Sequence, residues 1–152
     1  MMGKEGEMEE PGRKKRESCL AGLFRTYLAQ TGPDWHYILA GELCRLMEGG
    51  RPLCLLDLRR PEDYRSGHIP GAISRFWLEV MDPGFLESLP RDRELILICY
   101  VGHTASQIQV MLRLLGFSCR VLKYGMGCPP VTGQGVEGWL SLGLPVRQGP
   151  EP

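Results

Sequence analysis

The segment of this chain best suited to chemistry is Cys99-Tyr100-Val101-Gly102-His103-Thr104. It ends a nearly unbroken apolar run, Leu95 to Cys99, and precedes a stretch, Ala105 to Leu115, with helical periodicity. Thr104, with Gln107 three residues on, has the form of a capping box, and Gly116 stands where a helix-closing glycine belongs. A cysteine at the carboxyl end of a buried strand and the start of a helix holds its sulfur near the positive end of the helix dipole. A loop curling between the two can turn successive backbone N–H groups inward as an anion nest, and Gly102 supplies the backbone freedom for that curl. Both features favour a thiolate. Cys99 is therefore the candidate nucleophile, and the N–H groups of Tyr100, Val101, Gly102, His103 and Thr104 are its expected cradle. The competing reading is a small cysteine used as core filler. Strand end, glycine loop and capped helix together weigh against it.

Other residues carry weaker signals. Asp57 and Arg59 sit at a strand end, where they could line a site or form an ion pair that fixes the turn; the ion pair is favoured. His68 lies between Gly67 and Pro70 and reads as a hydrogen-bonded turn histidine before a proton-transfer group. Trp35, Trp77 and Trp139 are expected in the core or at its rim. Cys54 falls in a buried strand, and Cys44 and Cys19 fall on helices without a sign of function. Cys128 follows the last strand in the Gly/Pro-rich stretch 125–138, at the same sheet edge as Cys99. It is either an exposed loop cysteine or a resolving thiol for Cys99, and only close approach decides between them. No CxxC pair and no metal-ligand spacing with His36, His68 or His103 occurs, so no metal is expected.

These residues need a frame. Residues 53–58 (LCLLDL) and 95–99 (LILIC) are short, non-alternating apolar runs, as in strands buried on both faces of a parallel sheet. Short strands are also expected at 36–38, near Ala72-Ile73 and at 119–124, with a helix at Ala40–Glu48 stopped by Gly49-Gly50. Strands alternating with helices predict a three-layer α/β/α domain with a central, mostly parallel sheet over residues 35–147. Ahead of it, Leu20, Leu23, Phe24, Tyr27 and Leu28 recur at helical spacing, with Ser18 as a candidate N-cap; residues 18–34 read as a helical extension that packs on the domain. Residues 1–17 are expected to be a solvated, charged tail, with a partner-binding arm as the alternative, and 148–152 a second tail.

The same residues resemble the rhodanese domain family, single-domain type. The resemblance rests on Leu56-Asp57-Leu58-Arg59 with Glu62, on Gly67-His68-Ile69-Pro70-Gly71-Ala72, and on the loop from Cys99 to Thr104 followed by Ala105-Ser106. It extends to Gly125-Met126-Gly127 and to Gly138-Trp139 through Val146, covering roughly residues 36–147. It implies a sulfurtransferase: the Cys99 thiolate takes the outer sulfur of thiosulfate or a persulfide, and a thiophilic acceptor removes it, with no metal or organic cofactor. Related Cys-loop phosphatases use a longer loop ending in Arg; here position 105 is Ala. The loop also lacks the Lys or Arg found in many thiosulfate-using members, which favours a persulfide donor unless a neighbour such as Arg59, Arg60, Arg75 or Lys123 compensates. The alternatives are a sulfur carrier or interaction module on the same frame, or a redox sensor using Cys99 and Cys128.

Composition narrows the partners. In 152 residues, 18 Lys plus Arg balance 18 Asp plus Glu, which argues against charge-driven binding to nucleic acid or membrane. The expected partners are a small sulfur donor and a thiol acceptor. The six cysteines are too sparse for a disulfide-built fold, and no apolar run approaches the roughly 20 residues of a membrane span, so a reducing cytoplasm is expected.

Overall fold

The computed structural model describes residues 12–129 and 135–150. The chain divides at Thr31–Gly32 into two units. In the first, helix α1 spans Arg13–Ala29 and begins after Gly12, not at Ser18. Residues 13–16, expected in the tail, instead form its first turn, where Arg13 pairs with Glu17 at 2.9 Å. Lysine and arginine are good helix formers and this i,i+4 pair adds support, so the helix extends back through them. No residue of α1 is buried, and Leu20, Leu23, Phe24 and Leu28 are exposed. Residues 1–11 of the expected tail lie outside the described residues, as do 130–134 and 151–152.

The second unit holds a five-stranded sheet. Its strands are β1 (Tyr37–Ile38), β2 (Leu53–Asp57), β3 (Ile73–Ser74), β4 (Glu94–Ile98) and β5 (Cys119–Leu122). They lie in the order β1-β5-β4-β2-β3 and every pairing is parallel. The helices are α2 (Ala40–Glu48), α3 (Pro61–Ser66), α4 (Pro83–Ser88) and α5 (His103–Leu114). The apolar runs at 53–58 and 95–99 are thus the central strands, as their lack of alternation predicts. Leu95, Leu97 and Cys99 enter one core cluster with Ala105, Ile108 and Leu112 of α5. Ile96 and Ile98 face the other, with Ala40 and Leu43 of α2 and Tyr64 of α3. The sheet is therefore covered on both faces, the three-layer arrangement of an α/β domain.

The elements differ from the sequence reading at several places, and β5, expected over 119–124, ends at Leu122. His36 and Trp35 have left-handed φ values of 60° and 53°, so β1 starts only at Tyr37. Trp35 is exposed, whereas Trp139 is fully buried and donates from Nε1 to Pro145 O at 2.8 Å. Helices α3 and α4 fall in a region read only as turn and short strand. Thr104 is not the cap of α5, which starts one residue before it, after Gly102. Its far end behaves as expected: the N–H of Gly116 reaches Arg113 O (2.9 Å) and that of Phe117 reaches Leu112 O (3.0 Å), a Schellman closure.

Candidate active site

The strand order fixes where a ligand can sit. From β2 the chain moves to β3 on one side; from β4 it moves to β5 on the other. Neighbours β2 and β4 therefore flank the point where the winding reverses, and crevices open at such points beyond the strand carboxyl ends. Cys99 follows β4 there, across from Leu58 and Arg59 after β2; Leu58 N donates to Ile98 O at 2.8 Å.

Cys99 is 2 % exposed. Its Sγ accepts the N–H of Gly102 at 3.1 Å and that of Ala105 at 3.5 Å. With Gly102 as N-cap, Ala105 is the third residue of the helix, and its N–H is one that a capping side chain normally satisfies. Gly102 has no side chain to cap α5, and the sulfur of Cys99 takes that place. Gly102 has φ +97°, a value L side chains rarely adopt, and this turn folds the loop back over the sulfur. Of the expected cradle, Gly102 is a donor to the sulfur, and Ala105 joins it from outside the expected set. His103 and Thr104 belong to the first turn of α5, His103 exposed and Thr104 half-buried. Val101 is half-buried in the loop.

The carbonyls of the loop point away from the sulfur because a second backbone holds them. The N–H of Met126 donates to Cys99 O at 2.9 Å and that of Gly127 to Tyr100 O at 3.0 Å. Behind them, Trp139 N donates to Gly125 O (3.0 Å) and Leu140 N to Met126 O (3.1 Å). With carbonyls committed on one side, the N–H groups are free to turn to the other, which is how a nest forms. Ser106 adds a further tie, donating from Oγ to Gly102 O at 2.7 Å and sharing a 3.0 Å bond with the Tyr37 hydroxyl.

Tyr100 reaches out of the loop. Its hydroxyl donates to the Asp63 carboxylate in the first turn of α3, and accepts the N–H of Arg60 at 3.3 Å. Burial, then the bond to Asp63, pushes its pKa up to about 12, so it stays a neutral donor. Glu62, the acid in the resembling stretch, is exposed; Asp63 beside it makes the contact.

Arg59 does not face the crevice as a free cation. It is buried with Asp57, to which it donates from Nε (3.0 Å) and Nη2 (2.7 Å), and Nη2 also reaches Gly67 O at 2.8 Å. Burial opposes its charge, but the bond and charge of Asp57, with Cys128 and Asp63 adding to them, leave its pKa raised. The two residues form the ion pair expected of them, with the Arg59 guanidinium bonded to Asp57 and to Gly67 O. Replacing Arg59 with Met strands a buried carboxylate and is expected to cost about 3–5 kcal/mol. The double variant Asp57→Leu/Arg59→Met should recover part of that loss, because it removes the desolvated charge as well. Urea midpoints of the singles and the double check this, and strict additivity would refute it.

His68 is structural as well. It is fully buried, stacks on Tyr64 at 3.8 Å and bonds Tyr64 O through Nδ1 at 2.9 Å. Cys99 belongs to the cluster that includes Leu95 and Leu97, Cys128 packs against the one that includes Ile96 and Ile98, and both thiols are free. Burial raises the pKa of Cys54 and Cys44, and that of Cys119 to about 12. Among the described residues no group of three or more metal-ligating side chains is found, and no helix is long and apolar enough to cross a membrane. A cavity of about 540 Å³ lies between Leu39–Arg45 and Lys123–Tyr124, and Cys99 is not among its walls.

A buried sulfur held by loop N–H groups at a strand end is the centre of a Cys-loop α/β domain. The family model for the rhodanese-like domain matches residues 39–127, and the chain belongs to that family. It is 30% identical over 84 residues to a tRNA sulfurtransferase of Pyrobaculum aerophilum (55% of this chain, 17% of that protein). It is 30% identical over 90 residues to a thiosulfate sulfurtransferase of Azotobacter vinelandii (45% and 33%). The chain thus spans a third or less of the length of either curated relative. In fold it is similar to a rhodanese-related protein of Thermoplasma volcanium, with TM-score 0.61 and 22% identity over 74% of this chain and 97% of that one.

Proposed function

We infer that the protein is a sulfurtransferase that works through a persulfide on Cys99. The observation that carries this is the cradle: two backbone N–H groups converge on Sγ at the switch point of the sheet. The Cys99 thiolate bonds to the outer sulfur of a donor R–S–SH; the donor's S–S bond breaks and RS⁻ leaves with the electron pair. The proton stays on the transferred sulfur. With thiosulfate the leaving group is sulfite. An acceptor thiolate then attacks the outer sulfur, and Cys99 leaves as thiolate. This is covalent catalysis in two displacements. Backbone N–H groups stabilise the sulfur anion at both ends of the cycle without reorganising. The tight cradle suits one added sulfur atom, and the loop holds no Arg to clamp a phosphate. Six free thiols fit a reducing compartment, the cytoplasm, with a small donor and a small or protein thiol as partners.

The test is intact mass of the reduced protein after incubation with thiosulfate and, separately, with an alkyl persulfide. One added sulfur is expected, located on Cys99 by peptide mapping and removed by cyanide or a thiol with repeated turnover. Loading without turnover would identify a carrier. No added sulfur from any donor would end the proposal.

A further inference from the structure

The Tyr100–Asp63 contact lies beside the nucleophile and joins the two walls of the crevice. Tyr100 belongs to the wall that follows β4, and Asp63 to the wall that follows β2. The contact places a half-buried carboxylate next to the residue that follows Cys99. Of the cations around it, Arg59 feels the Asp63 charge but has its hydrogen bonds committed elsewhere, to Asp57 and to Gly67 O. The exposed Arg60 guanidinium lies over the Phe76 ring, 5.6 Å from its centre. Arg75 lies over Phe85 at 4.6 Å and donates to Glu79 O. His103 is exposed in the first turn of α5, and the loop has no Lys or Arg.

We propose that Asp63, held at the crevice by Tyr100, determines donor choice, disfavouring dianionic thiosulfate and leaving the Cys99 site to low-charge alkyl or protein persulfides. This rests on the sulfurtransferase reading above and adds the donor class to it. Two negative charges on the donor meet the Asp63 carboxylate in thiosulfate, against one or none in a persulfide. The backbone cradle stabilises the transferred sulfur equally in both cases, since the same atom is delivered to Cys99. The discrimination must therefore come from the charge of the part that leaves, sulfite or thiolate, at the mouth. A single fixed charge at a partly solvated site separates the two donors by roughly 3- to 10-fold.

The experiment measures kcat/KM for thiosulfate and for an alkyl persulfide in the wild type, in Asp63→Asn and in Tyr100→Phe. Asp63→Asn keeps the size of the side chain and an acceptor for the Tyr100 hydroxyl while removing the charge. The ratio of thiosulfate to persulfide kcat/KM is expected to rise roughly 3- to 10-fold in Asp63→Asn. In the wild type the same ratio should climb with added salt, and in Asp63→Asn that climb should flatten. Tyr100→Phe keeps the charge, so its ratio should remain on the wild-type side. An unchanged ratio in Asp63→Asn, or an equal fall with both donors, would overturn the proposal. The salt dependence of the wild type supplies an independent readout if Asp63→Asn folds poorly. A wild type that loads no sulfur from either donor defeats the sulfurtransferase reading itself; one that loads with a salt-independent ratio defeats only the role of Asp63.

Discussion

Cys99→Ser is expected to fold like the wild type and to carry no transferable sulfur, with turnover lowered by at least about three orders of magnitude, on the scale of nucleophile removal in other enzymes. The hydroxyl can accept the same N–H groups of Gly102 and Ala105, so the cap on α5 survives and the stability change should stay within about 1 kcal/mol. The chemistry does not survive, because a serine hydroxyl has no adjacent base here and is not ionised at neutral pH. The five remaining thiols sharpen the result. Cys119 is buried with its pKa at about 12, and the thiols of Cys54 and Cys44 are also shifted upward. Cys19 is exposed on α1. Cys128 is half-buried and packs against the cluster of Ile96 and Ile98. Intact-mass loading and a cyanide-dependent turnover assay check the expectation. Full loading of Cys99→Ser would move the site to another cysteine.

What could be read from sequence followed the range of the interactions. The central strands and α5 were legible because their signals are local: unbroken apolar runs, and helical periodicity closed by Gly116. The candidate nucleophile was legible for the same reason, since strand, loop and helix are contiguous around Cys99. Thr104-x-x-Gln107 has the form of a capping box but does not cap α5, because the sulfur of Cys99 accepts Ala105 N–H and the helix starts at His103. Helix α3 carried start signals, Pro61 followed by Glu62 and Asp63, and α4 carried Asp82-Pro83, where Asp82 does accept the N–H of Gly84 at 3.0 Å. At six residues each, neither is long enough to show a period. The Tyr100–Asp63 contact bridges 37 positions and the Cys99 O to Met126 N bond bridges two separate loops; nothing local marks either. Arg59 was ambiguous for a related reason, as only the fold shows that its donors end on Asp57 and Gly67 O.

Gly125→Ala is expected to damage both stability and transfer, through backbone geometry alone. Gly125 has φ +52°, and a Cβ there would lie 2.2 Å from Cys99 O and 2.9 Å from the carbonyl carbons of Cys99 and Tyr100. All three contacts are backbone atoms, so no side chain can swing aside. Left-handed strain of roughly 1–2 kcal/mol adds to an overpacking cost of roughly 1–3 kcal/mol, for a total of about 2–5 kcal/mol. Relief requires the 99–100 backbone to move, which breaks the bonds from Met126 N and Gly127 N. Those bonds orient the peptide units whose neighbours hold the sulfur, and a displacement near 1 Å at a reacting centre can cost about 100-fold in rate. Gly143→Ala is the control: φ there is +65°, but a Cβ would meet nothing within 4 Å. It should show the strain cost of roughly 1–2 kcal/mol and a near-normal loading rate. Urea unfolding and the rate of persulfide formation measured on both variants decide the matter. If Gly125→Ala loads sulfur as fast as Gly143→Ala, the close approach of the two backbones does not position Cys99.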